Sequence, residues 1–376
     1  MASRELISVW TYFEELEDPR VDRTKLHSLQ DIVLLTLVAT LAGADSWVEI
    51  EEFGLEHEEW LSEFLDLPHG IPSHDTLGRV FRMLDAGELS ARLGAWMAGA
   101  QERVPGEQVC IDGKSLRRAF DKAEGKAPLH IVNAWATESR VALGQVQVAD
   151  KSNEIVAIPM LLGLLDVEGC VVSVDAIGCQ RAIAETLVAR RADYVLAVKD
   201  NQPALAGEMR RFFTDAAPPE ETAGDWTFHQ ATDGDHGRIE VRKTWATSAI
   251  EWFEDRSKWA SLRTLVVQCS ERTVGDKTSR STRYFITSLP AEDPERLARY
   301  VRSHWSVENK LHWVLDVVFA EDQSRVRKDH AAANLAAFRR LALSLLKRET
   351  SKGSMRVKRK RCGWNLGFLL KVMLDP

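Results

Sequence analysis

Near residue 107 the hydrophobic period of the chain changes from that of helices to that of strands, and no other feature limits the possible folds as strongly. QVCIDG is a short apolar strand that ends in a carboxylate and a turn glycine. LHIVNAWATES and VALGQVQVA follow as two more strands around a polar turn at residues 138–140, so three consecutive strands predict an antiparallel meander. The pattern then alternates. Residues 154–165 have a helical period, CVVSVDA is a buried strand ending at Asp175, residues 180–191 are helical again, and DYVLAVK is another apolar strand. Alternation of this kind predicts parallel strands joined by crossover helices.

Three antiparallel strands followed by α-β-α-β is the order of the ribonuclease-H-like fold, an α/β class with a mixed sheet and flanking helices. Asp112 and Asp175 both fall at the C-terminal ends of their strands, where open α/β sheets place their sites. Residues 203–290 are less regular, with three strand-like runs (IEVRKTWAT, LRTLVVQCSE, RYFITSL), and read as a β-rich insertion. A helix beginning near Asp293 or Pro294 is predicted to run on through RSHWSVENKLHWVLDVVF, and a further helix covers residues 331–347. The residues before 107 are helical: 29–42 and 47–65 carry helical spacing, and Ser73 or Asp75 can cap a helix with Leu77, Val80, Phe81 and Leu84 on one face. The expected division is a helical domain at 1–106, a catalytic domain at 107–350 and a basic tail at 351–376.

The net charge of −7 is an average over unlike segments. Residues 1–108 hold 8 Lys and Arg against 21 Asp and Glu, net −13, while residues 323–376 hold 14 against 3, net +11. Arg356, Lys358, Arg359, Lys360 and Arg361 could neutralise phosphates, or could dock on the acidic N-terminal part of the same or a partner chain. The five cysteines form no C-x-x-C pair, which argues against a thiolate zinc site or a disulfide framework and suits a cytoplasmic protein. The longest apolar run, residues 32–44, is too short for the roughly 20 residues that span a bilayer, so no membrane partner is expected.

Asp112 and Asp175 need a third carboxylate to hold two magnesium ions, which favour hard oxygen ligands. Glu308 is the candidate. On a continuous helix it borders a stripe of Val307, Leu311, Val314 and Val318 and can point along the sheet edge while the helix stays packed. Two ions held there would suit an in-line phosphoryl displacement. A rival zinc ladder of His304, Glu308 and His312 is disfavoured, because histidines eight residues apart on a helix are about 12 Å apart and cannot share one metal. Those histidines read instead as groups that orient Glu308 or contact phosphate.

Seven strings, PSHDTLGRVF, VCIDGKSLRR, VVSVDAIGCQ, YVLAVKDNQP, DHGRIEVR, YFITSL and RSHWSVENKLHWVLDVVFAEDQSRVR, resemble the DDE transposases of bacterial insertion sequences, and more narrowly their H-repeat-associated (ISAs-type) group. The resemblance covers nearly the whole chain. It implies that Asp112, Asp175 and Glu308 are the family's Asp, Asp and Glu, and that the β-rich stretch is the insertion such enzymes carry before the last carboxylate. The wider Y-x2-R-x3-E-x6-K pattern is not kept, since Val301, His304 and Leu315 stand at its Tyr, Arg and Lys places.

The expected function is therefore a magnesium-dependent transposase, with manganese as a possible substitute, that binds terminal inverted repeats on double-stranded DNA and carries out cleavage and strand transfer. A homodimer is expected in the synaptic complex. Lys114, Arg117, Arg118, Lys199, Asn201, Arg302, His304, Lys310, His312, Arg325 and Arg327 are the candidate DNA contacts. Trp305 and Trp313 could stack on an unpaired base or pack in the core. The alternatives are a catalytically silent relative that only binds DNA or protein, and a plain metal-dependent nuclease.

Overall fold

The computed structural model describes residues 11–13, 15–99, 104–119, 128–148, 154–216, 218, 220–235 and 237–374. Their helices and strands begin with α1 (Leu29–Ala42), α2 (Trp47–Glu56), α3 (Glu58–Leu61), α4 (His74–Met83) and α5 (Ala86–Gly99). Next come β1 (Gln108–Leu116), β2 (Leu129–Ala136), β3 (Val141–Val148), α6 (Glu154–Leu164), β4 (Val171–Val174), α7 (Arg181–Ala189), β5 (Asp193–Val198) and α8 (Pro203–Asp215). Strands β6 (Trp226–Asp235), β7 (Arg238–Thr247), β8 (Thr264–Val274) and β9 (Lys277–Thr287) lead to α9 (Pro294–Ser303). A π-helical turn (Glu308–His312), α10 (Trp313–Val318), α11 (Ala331–Arg348), α12 (Met355–Trp364) and α13 (Leu366–Leu374) complete the chain. The result is an α/β protein with a large mixed sheet. Among the described residues no single helix is long and apolar enough to cross a membrane.

The chain forms two compact units whose segments alternate: Met1–Val104, Gly113–Asn153 and Glu308–Pro376 in the first, Pro105–Asp112 and Glu154–Val307 in the second. In the second unit the strands lie in the order β1-β4-β5-β9-β8-β7-β6. The β1–β4 and β4–β5 pairs are parallel, as the strand-helix alternation predicts. The others are antiparallel. Residues 203–290 contain four strands where three were expected, and they extend the same sheet, because β9 pairs directly with β5. Strand β6 was missed because its sequence, WTFHQATDGD, is largely polar, and none of its described side chains is fully buried. One face of this sheet buries Val171, Val195, Ala246, Val266 and Phe285 against Leu297, Tyr300 and Val301 of α9. Asp293 accepts from the Arg296 N–H at 2.9 Å and caps that helix.

The first unit is built around α11, in which every residue from Ala331 to Leu346 is buried. A helix covered on all sides has no polar face to give away. Its neighbours include α1, α5 and β3, and α1 is itself almost fully buried. Ser28 caps α1 by accepting from the Asp31 N–H, and the Thr36 and Thr40 hydroxyls bond back to the carbonyls four residues earlier, each at 2.7 Å. Buried Arg340 donates to Glu321 at 2.7 Å and to Asn133 at 2.5 Å.

Residues 351–376, expected as a basic tail, supply α12 and α13, both with buried faces. Arg359, 5% exposed, reaches the C-terminal end of α1: its Nη2 donates to Thr40 O and Ala44 O at 3.1 Å and to Asp45 Oδ1 at 2.7 Å, and its Nη1 donates to Val318 O at 2.6 Å. Lys358 is also buried and paired with Glu349 at 3.2 Å. Of the two readings of the basic segment, docking on the N-terminal helices of its own chain holds for Arg359, while Arg356, Lys360 and Arg361 stay exposed. Replacing Arg359 by Met would leave buried carbonyls and Asp45 without their donor. The expected loss of unfolding free energy is about 2–4 kcal/mol, read as a lower urea midpoint, against less than about 0.5 kcal/mol for Lys360→Met at an exposed site.

Candidate functional site

In the second unit, the register of β1 on β4 sets Gln108 opposite Val171 and Ile111 opposite Val174, so Asp112 and Asp175 stand at the same level. Asp175 follows the end of β4, whereas Asp112, expected at a strand end, lies inside β1, which continues to Leu116 because its later residues still alternate between buried and exposed. Neighbouring strands are about 4.8 Å apart, which is within the span of two carboxylates sharing a cation. Both side chains are half-buried. The turn after Asp175 folds back so tightly that a Cβ on Gly178 would clash with Val174 Cγ1, which explains the glycine in DAIG. The Ile177 N–H donates to Asp175 Oδ1 at 3.0 Å.

Burial pushes the Asp175 carboxyl above its usual range, and the negative charge of Glu154 adds to the rise; backbone N–H groups of Gly178 and Ile177 and the Lys199 ammonium oppose it. Glu154 opens α6 and is 4% exposed. Sequence reasoning missed it, although a carboxylate heading a helix as apolar as EIVAIPMLLGL was the available signal. Acidic oxygens gathered in a poorly hydrated place repel one another, and a hard divalent cation relieves that repulsion, so the donor set fits such an ion. The chain around Asn201 braces this turn from below. Asn201 donates to Ala176 O and Gln202 to Cys179 O at 2.9 Å, which gives the Asn201 amide a partner within the protein.

The predicted continuous helix around Glu308 is broken. Helix α9 stops at Ser303, and Glu308 opens the π turn that precedes α10. Such turns are rare, occur often at functional sites and re-aim the side chains they carry. In the first unit Glu308 Oε2 lies 3.0 Å from His312 Nδ1. That bond holds the Glu308 carboxyl below its usual range, with the Lys114 ammonium adding to the effect against partial burial. Lys114 itself is 7% exposed and pairs with Asp316 at 2.6 Å and Asp322 at 3.4 Å, tying β1 to the helix that follows Glu308. Arg117 joins the cluster through Asp322 at 3.2 Å.

Three expected DNA contacts are therefore occupied within the protein. Lys114 and His312 are buried, and the ring of His304 in the second unit lies 3.0 Å from Ser173 Oγ through its Nδ1. Arg117, Arg118, Lys199, Arg302, Lys310, Arg325 and Arg327 are exposed, and Arg327 donates to Arg118 O at 3.2 Å. Trp305 and Trp313 are 44% and 57% exposed, so neither is a core residue, and the Arg283 guanidinium lies 5.0 Å over the Trp305 ring. His236, in the DHGRIEVR string, lies outside the described residues.

Asp112 and Asp175 thus stand side by side on adjacent parallel strands of a mixed sheet. Comparison with known proteins makes the class definite: residues 104–345 match the family described as Transposase DDE domain and residues 10–97 the family described as DDE_Tnp_1-associated, so this chain is a member of the DDE transposases. Within them it is similar to "Putative transposase YncI" of Escherichia coli O157:H7, at 38% identity over 97% of this chain and 94% of that protein. It is also similar to "H repeat-associated putative transposase YhhI" of E. coli K12, at 33% identity over 92% of both chains. A third relative, "Uncharacterized protein in dhlA 3'region" of Xanthobacter autotrophicus, is 42% identical over 75% of this chain and 94% of that one.

Burial, with the Arg283 and Lys199 charges adding to it, pushes His304 down to about 4. Between that value and the ordinary 6.5 the unfolded chain binds a proton that the native ring refuses, so stability falls as pH drops through this window, by up to about 1.4 kcal/mol per pH unit. Urea midpoints at pH 7 and pH 5 are expected to differ less in His304→Gln than in the parent chain; equal differences would show that another group carries the dependence.

Proposed function

We propose that this chain binds the terminal inverted repeats of an insertion sequence and catalyses magnesium-dependent cleavage and strand transfer, with Asp112, Asp175 and Glu308 as the metal-holding residues. DDE transposases normally use divalent metal ions, and the observation that carries the reading is the parallel register that brings Asp112 and Asp175 out at one level. When bound, the ions supply Lewis-acid stabilisation of charge on the phosphoryl oxygens during in-line displacement.

The protein's own groups then have separable tasks. Burial and the charge of Glu154 raise the Asp175 carboxyl above its usual range, and a bound cation would favour its charged form. His312 and Lys114 keep Glu308 ionised and aimed. Arg117, Arg118, Lys199, Arg302, Lys310, Arg325 and Arg327 are exposed cations suited to backbone phosphates. In this reading residues 107–350 are the catalytic domain and 1–106 its helical companion, acting in the cytoplasm on nucleoid DNA. Because two element ends must be cut together, the active species is a homodimer on DNA.

The test uses the full chain, Mg²⁺ and a duplex carrying the inverted repeats that flank the reading frame. Cleavage and joining are expected. Asp175→Asn is expected to lower both by about a thousandfold, equivalent to several kcal/mol of transition-state stabilisation, with duplex binding unchanged. Nicking without joining would make the protein a nuclease, and binding without cleavage by the parent chain would make it a silent relative.

A further inference from the structure

A cleft of about 910 Å³ lies within the first unit, between α2 and α4 on one side and residues 320–331 on the other. Two arginines one helical turn apart on α4, Arg79 and Arg82, face it together with Arg325, Arg327 and Lys328 from the stretch after α10. All five are exposed. The walls are joined where Arg82 Nε meets Asp329 Oδ2 at 3.1 Å and the His330 N–H meets Arg82 O at 3.4 Å.

Three carboxylates also line the cleft, and two are engaged. Asp45 is held by Arg359 at 2.7 Å, and Glu49 accepts from the Asp45 N–H at 2.6 Å; Asp75 is 91% exposed, with its nearest cationic group, His74 Nε2, at 3.8 Å. The Arg82–Asp329 pair is itself half-exposed, a kind of bond worth little and easily exchanged for a phosphate. Arg79 and Arg82 come from residues 1–108, net −13, and Arg325, Arg327 and Lys328 from residues 323–376, net +11, so the positive lining draws cations from both segments. A small anion would call for buried donors converging on one point. Exposed cations spread along two lips match instead the spaced charges of a polymer.

We propose that this cleft grips the phosphate backbone of duplex DNA, making the acidic helical region a DNA-contacting element through Arg79, Arg82 and Lys328 alongside Arg325 and Arg327. The proposal rests on the transposase reading given above.

The experiment measures binding of the full chain to a fluorescent duplex of unrelated sequence across a salt series. Arg79→Gln combined with Lys328→Gln removes two exposed cations that form no ion pair with a carboxylate among the described residues. The slope of log K against log salt is expected to flatten by about 1.8, roughly 60-fold in affinity near 0.1 M salt, with the urea midpoint unchanged. Lys352→Gln, outside the cleft, is expected to keep the parent slope. A parent chain that binds DNA steeply while the double variant keeps the same slope overturns this proposal alone. A parent chain that binds no DNA overturns the transposase reading and this proposal with it.

Discussion

The in-phase pairing of β1 with β4 is the constraint on which the catalytic reading depends. A slip of one residue would turn one aspartate to the opposite face of the sheet, because side chains alternate along a strand. The register is fixed from inside the fold: Gln108 Nε2 donates both to Ser173 Oγ at 2.8 Å and to Tyr300 O at 2.7 Å, and the Tyr300 hydroxyl donates to Gly106 O at 2.9 Å. A polar clasp in the core thus holds two strands and α9 in a single alignment. Hydrogen bonds of this kind add modestly to stability but are costly to leave unmade, so they select one alignment over its neighbours.

Charge in this chain works locally. The net positive C-terminal segment supplies buried Arg339, Arg340 and Arg359, and two of these satisfy carbonyls or the carboxylate at the end of α1: Arg339 donates to Asp45 O at 2.9 Å and Arg359 to Asp45 Oδ1. Opposite segment charges are therefore consumed partly as internal bonds. The cations that remain exposed are fewer than the sequence count suggests, and they are collected on particular faces.

Most elements were legible from periodicity alone, for physical reasons. Helix α1 and strands β4 and β5 are almost wholly buried, so their sequences are nearly pure apolar runs with clear ends, and of the two predicted capping residues, Ser73 and Asp75, Ser73 caps α4. Strand β6 at the sheet edge has no such pressure and gave no signal. The π turn at Glu308 was hidden because Val307, Leu311 and Val314 keep a helical spacing whether or not the backbone bulges. Asp175 could be named from a strand end, and Asp112 and Glu308 from motif resemblance, since β1 continues past Asp112 to Leu116. The buried state of Lys114 and His312 could not, because it depends on partners, Asp316, Asp322 and Glu308, whose placement only the fold determines.

The two units take turns along the sequence, and α11, the central helix of the first, lies near the C-terminus. The apolar faces of α1 and α4 therefore have no core to join until Ala331–Arg348 has been made. A nascent chain must keep these faces out of trouble until then, while the sheet of the second unit can already assemble. Truncation from the C-terminal side removes the centre of the first unit, which makes shortened gene copies far more damaging to this protein than their missing length implies.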